Sequence, residues 1–224
     1  MIDPQPLLLL MVLAAMLGVL AGAVVNRLID VVAIGCALAR PRAELANGAL
    51  WGVAVLWCGL TGALGLLPLM LALSSAGLAL FVVDAKVHRL PNPIVLALYP
   101  ITVIGLLIAG LASGEWPVVR ALLGAVVWLG VFGLVWLVSR GRGMGFGDVK
   151  LAPVLGAVLA WLGWGPNLVG LFAAWIIGGV VALVLLVSGR ARRGSHLAFG
   201  PYMLIGAAVG LLVGAPVLDW YLGV

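Results

Sequence analysis

Acidic residues are what this chain has least of. Asp and Glu total 7 in 224 residues, charged residues make up 8%, and 65% of the chain is hydrophobic. A soluble domain carries about 25% charged residues, so this chain cannot coat itself with polar surface and belongs in a bilayer. Cysteine is nearly absent too. Cys36 and Cys58 stand alone, with no C-x-x-C pair, which leaves no ligand set for structural zinc; both read as small buried hydrophobes. Histidine is limited to His88 and His196, each in a basic loop, where a solvated or headgroup-facing role outweighs a ligand role. No basic residue precedes the apolar run that starts after residue 6. That is unlike a signal peptide, and the first span is expected to be retained with its N-terminus outside.

What the chain has in quantity is uncharged length. A membrane span needs about 20 apolar residues. Residues 5–25 supply one span. Residues 45–83 carry no charge and read as two, with a break at Gly65-Leu66-Leu67-Pro68. Residues 90–114 and 118–139 supply a fourth and a fifth. Residues 151–189, again without charge, read as two more, broken near Gly163-Trp164-Gly165-Pro166-Asn167, and residues 197–218 form the last. The expected fold is all-α, a polytopic integral membrane bundle of about eight helices in a single domain, 1–224.

With the N-terminus outside, eleven of the 12 Lys and Arg residues fall on the cytoplasmic side: Arg27, Arg40, Arg42, Lys86, Arg89, Arg140, Arg142, Lys150, Arg190, Arg192 and Arg193. Arg120 alone falls opposite. This is the positive-inside pattern. It accounts for the net charge of +5 by topology and anionic lipid, so nucleic acid is not required as a partner. Trp116, Trp164 and Trp220 sit where an outer aromatic belt is expected. Gly18 and Gly22 form a GxxxG, a spacing common by chance in a chain with 32 glycines.

Two acids stand out in this setting. Asp84, in Phe81-Val82-Val83-Asp84-Ala85-Lys86-Val87-His88-Arg89-Leu90-Pro91-Asn92, and Asp148, in Gly145-Phe146-Gly147-Asp148-Val149-Lys150, both fall where an apolar run meets the expected cytoplasmic face. Intramembrane carboxyls are costly and mark function. Two that meet share one proton: one takes a proton from water while the other, protonated, polarises a carbonyl, the chemistry of metal-free peptide hydrolysis. Competing readings remain. Asp84 could pair with Lys86 or Arg89, and Asp148 could be the N-cap of a helix. The glycines before Asp148 offer φ > 0 and a close approach to a substrate strand; a phosphate loop would need a GK[ST] ending, which is missing.

The two segments resemble the signature of type IV prepilin peptidases, aspartic proteases that pair an Asp followed by Leu-Pro-Asp or Leu-Pro-Asn with a second Asp in Gly-x-Gly-Asp. Asp84 with Leu90-Pro91-Asn92 is similar to the first, and Gly145-Phe146-Gly147-Asp148 with Lys150 to the second. Gly22–Leu28, Ala43-Glu44-Leu45 and Phe199-Gly200-Pro201-Tyr202 resemble weaker family segments. The resemblance implies Asp84 and Asp148 as the catalytic pair, with Gly145, Gly147, Lys150, His88, Pro91 and Asn92 binding substrate or shaping the site, and no metal. It implies a multi-pass protein of the bacterial inner membrane that cuts the leader of a prepilin or pseudopilin, for type IV pili or type II secretion, at the cytoplasmic face. Longer members insert a cysteine-rich zinc domain after the first span. Here that loop is about residues 27–44 and lacks those cysteines, so neither zinc nor the S-adenosylmethionine of an N-methyltransferase carries over, and no cofactor is expected. A transporter or channel with interfacial carboxylates and a presenilin-like GxGD intramembrane protease are the alternatives. The spans are nearly bare of mid-membrane charge, which disfavours an ion path.

Overall fold

The computed structural model describes residues 4–33, 35–38, 41–141, 144–189 and 198–223. Arg40, Arg142, Arg190, Arg192, Arg193 and His196 lie outside the described residues.

Among the described residues every regular element is helical: α1 Pro4–Val32, α2 Arg42–Thr61, a 3-10 turn Leu64–Leu66, α3 Leu67–Val87, α4 Asn92–Ser113, α5 Val118–Val138, α6 Phe146–Leu162, α7 Trp164–Val187 and α8 Gly200–Leu222. Among the described residues seven helices are long and apolar enough to cross a membrane. The chain is therefore a polytopic helical membrane protein, with seven such helices where about eight were expected. The exception is α6, with 17 residues. At 1.5 Å per residue it is about 25 Å long, short of a hydrocarbon core of about 30 Å. The reason lies in its first turn, which holds Asp148 and Lys150 and leaves a short apolar stretch.

The breaks follow from backbone chemistry. α2 ends at Gly62, which takes φ 73°, a left-handed C-cap; this is three residues earlier than the expected break. A single residue, Gly163 (φ 158°, ψ 168°), separates α6 from α7, in a region open essentially to glycine. The first loop is shorter than expected. α1 runs through Asn26, Arg27 and Asp30 to Val32, because no glycine or proline falls between Asn26 and Gly35, and α2 already begins at Arg42. Asp30 thus belongs to α1, where its Oδ1 accepts the Gly35 N–H at 3.1 Å.

The helices pack as two compact units. The first comprises residues 1–87 and 96–116; the second comprises residues 88–95 and 117–224. In the first, α1 and α2 meet along small residues. A Cβ added at Gly22 would come within 2.6 Å of the Glu44 Cα, and one at Gly48 within 2.7 Å of the Ala15 carbonyl oxygen. Gly18 and Gly22 therefore serve close packing. Asn47, fully buried, donates its side-chain N–H to the Gly18 carbonyl at 2.8 Å, and Trp51 Nε1 donates to Ser75 Oγ at 2.9 Å.

In the second unit α6 is the central helix, with eleven of its 17 residues buried. Asn167 on α7 donates to the Gly156 carbonyl of α6 at 2.8 Å. Arg120 on α5 donates from Nε and Nη2 to the Ala160 and Trp161 carbonyls, each at 2.6 Å. Those carbonyls belong to the last turn of α6, where no intrahelical N–H is left to bind them. An aromatic cluster fills the same unit. Phe132 stacks on Trp128 at 5.6 Å and contacts Trp175 and Phe199 at 5.2 and 5.7 Å. Phe199, the first residue of the Phe-Gly-Pro-Tyr segment, is thus a core residue at the start of α8.

Candidate active site

Asp84 lies inside α3, in its last turn, and is 3% exposed. Around this end of the first unit, polar side chains hold the loop between α1 and α2. Asn26 Oδ1 accepts the Leu38 N–H at 2.8 Å while its Nδ2 donates to the Leu38 carbonyl at 3.0 Å. Lys86, two residues after Asp84, donates from Nζ to the Cys36 carbonyl at 2.7 Å and to that of Ala37 at 3.4 Å. Residues 36–38 are thereby strapped between α1 and α3, and Cys36 is buried. Glu44 is buried in the first turn of α2.

Asp148 is the third residue of α6 and is 3% exposed. It is not the N-cap. That position is Gly145, and Asp148 reaches back so that its Oδ2 accepts the Gly145 N–H at 3.1 Å. This is half of a capping box, in which the carboxylate also faces the positive end of the helix dipole. Of the preceding glycines, Gly141 takes the expected positive φ, 71°, whereas Gly145 has φ −72° and Gly147 is not among the positive-φ residues. What Gly147 provides is closeness: a Cβ there would come within 2.7 Å of the Leu90 Cβ.

That contact links the two sequence motifs within the second unit. Residues 88–95 pack with α5–α8. His88 is exposed and takes φ 55°, turning the chain just after α3. The Pro91 carbonyl accepts the Ile94 and Val95 N–H groups, both at 3.2 Å, and so opens α4. Asn92 Oδ1 accepts from Lys150 Nζ at 2.9 Å, and Lys150 also lies over the Phe146 ring, 5.0 Å from its centre. Leu90, Phe146 and Asn26 were not singled out as contact residues from sequence. The partners of Leu90 and Asn26 lie 57 and 12 positions away, at Gly147 and Leu38, and no local pattern marks such pairs. Among the described residues, no group of three or more His, Cys, Asp or Glu side chains could hold a metal ion.

The comparisons with known proteins agree on one family. The model of the type IV leader peptidase family matches residues 71–183, a stretch that contains both Asp84 and Asp148. A prepilin leader peptidase/N-methyltransferase of Stutzerimonas stutzeri is 35% identical over 189 residues, covering 81% of this chain and 61% of the relative. The Pseudomonas aeruginosa protein of the same name is 32% identical over 182 residues, with the same coverage, and that of Pseudomonas putida is 36% identical over 157 residues, 68% of this chain and 50% of the relative. The chain spans about three fifths of the length of the first two. No solved structure matches it. With half of its residues matched by the family model, the chain belongs to the type IV leader peptidase family.

Proposed function

We propose that this protein is an aspartic endopeptidase of the bacterial inner membrane that removes the leader of a type IV prepilin or pseudopilin at the cytoplasmic face. Asp84 and Asp148 are its two carboxyls. The observation that carries the reading is burial: of 7 acidic residues, two lie inside the family match and are each 3% exposed. Burying carboxyls in so apolar a chain costs stability, and family membership supplies a use for them.

The chemistry needs one ionised and one protonated carboxyl. The helix ends favour a division of roles. Asp148 sits at the positive end of α6 and accepts a backbone N–H, which suits the carboxylate that takes a proton from water. Asp84 sits in the last turn of α3, where the dipole opposes negative charge, which suits the protonated partner that polarises the scissile carbonyl. The relatives' shared name also carries an N-methyltransferase, which would draw on S-adenosylmethionine. No step is assigned to that group.

The test is cleavage of a synthetic prepilin, with a basic leader and an apolar helix, by the protein in lipid nanodiscs. N-terminal sequencing of the product fixes the scissile bond, and its mass reports any methylation. Asp84→Asn and Asp148→Asn should each lower kcat by at least about 1,000-fold, on the scale seen when one member of a catalytic unit is removed, while membrane insertion is retained. Cleavage at the normal rate by either variant would overturn the assignment.

A further inference from the structure

We propose that Lys150 and Gly147 are positioning residues of this peptidase. With Leu90 and Asn92 they form a clasp that fixes the Leu-Pro-Asn segment on the first turn of α6, the turn that carries Asp148. The inference rests on the peptidase reading above.

The clasp has two parts of different chemistry. The inner part is steric. Leu90 is buried and lies so near Gly147 that an added Cβ would come within 2.7 Å of the Leu90 Cβ and 3.5 Å of its Cα. These atoms sit on or beside the backbone and cannot swing away as the tip of a side chain can. The outer part is polar. Lys150 Nζ donates to Asn92 Oδ1 at 2.9 Å, across 58 residues of sequence, at the exposed rim. The Phe146 ring beneath the ammonium, 5.0 Å away, limits where that long side chain can go. Asp148 lies between the two parts in sequence and is bonded back to Gly145. A shift of this turn would move the carboxyl with it. Misplacement of a reacting group by about 1 Å can cost about 100-fold in rate, whereas an exposed hydrogen bond contributes little to stability. The clasp should therefore register in turnover far more than in folding.

The experiment uses the full chain in nanodiscs with the synthetic prepilin. Lys150→Met and Asn92→Leu are each expected to lower kcat about 10-fold with KM changed less than about two-fold, the signature of misplaced chemistry rather than lost binding. The double variant should be no slower than the worse single one. Asn92→Asp keeps an acceptor for the ammonium and should retain most of the wild-type kcat. Gly147→Ala should lose more than either, while Gly130→Ala on α5, where an added Cβ meets nothing within 4 Å, serves as the neutral control. Multiplicative losses in the double variant, or an Asn92→Asp variant as slow as Asn92→Leu, would overturn the clasp. Local hydrogen exchange over residues 90–95 and 146–150 is read separately in the same four-member Lys150/Asn92 cycle. If the wild type cleaves no prepilin, the peptidase reading falls, while non-additive changes in exchange rate still report the bridge and additive ones remove it.

Discussion

The two units use the same packing device in different electrostatic settings. In the first, buried Asn47 donates to the Gly18 carbonyl of the neighbouring helix; in the second, buried Asn167 donates to the Gly156 carbonyl, and both bonds measure 2.8 Å. In the first, glycines let the backbones of α1 and α2 approach until the amide bridges them; in the second, Gly156 packs closely against α5 while the amide reaches it from α7. The units differ in where they bury an aspartate. The first places Asp84 in the last turn of α3, and the second places Asp148 in the first turn of α6. Opposite helix ends carry partial charges of opposite sign. The two aspartates thus sit at helix ends of opposite sign, an inequality on which the proposed one-proton mechanism would draw.

The most severe test of this comparison is the pair Asp84→Asn and Asp148→Asn. Both are expected to abolish prepilin cleavage, by at least about 1,000-fold; loss in one alone, with the other cleaving at the normal rate, would overturn the paired assignment. Next come the helix seams. Gly48→Leu and Gly156→Leu each force bulk against a neighbouring backbone or ring and should destabilise the protein by about 3 kcal/mol. Limited proteolysis should then open the first unit in the Gly48 variant and the second in the Gly156 variant. Simultaneous opening of both units in either variant would show a single cooperative body. A smaller effect, about 1–2 kcal/mol, is expected for Arg120→Met, which strips charge-assisted bonds from the end of α6. Hydrogen exchange should quicken over residues 157–162 and leave the first unit unchanged. The mildest is Asn26→Ala. It releases the strap at residues 36–38, so Cys36 should react several-fold faster with a hydrophilic maleimide, while Cys58, fully buried between helices, keeps its slow rate.

Much of this was legible in the sequence, and the reason differs from element to element. The helices α4 and α5 lie within two residues of the spans read from charge-free runs, because a lipid-exposed helix must be apolar along its whole length. The ends of α1 and α6 were misjudged. Arg27 and Lys150 were placed in loops on account of their charge, yet each sits in a helix, because a polar side chain is tolerated near a helix end. The glycines before Asp148 were read as offering φ > 0 and a close approach to a substrate strand; Gly141 takes φ 71°, and Gly147 provides closeness, to Leu90 of this chain. From sequence, Arg120 was the basic residue on the wrong side of the membrane; its bonds to α6 carbonyls 40 residues away supply the reason for its place.

The sequence by itself determined that this is a membrane protein, where most of its helices run, and which two carboxyls stand apart from the rest. Hydropathy and the cost of charge in lipid act on each residue locally, so composition and order suffice to read them. Tertiary structure decided which glycine touches which helix, that Lys150 reaches Asn92, that Asn26 and Lys86 strap residues 36–38, and that Asp148 caps its own helix from within. These are contacts between residues distant in the chain, set by the geometry of packed helices, and no periodicity in the sequence encodes them.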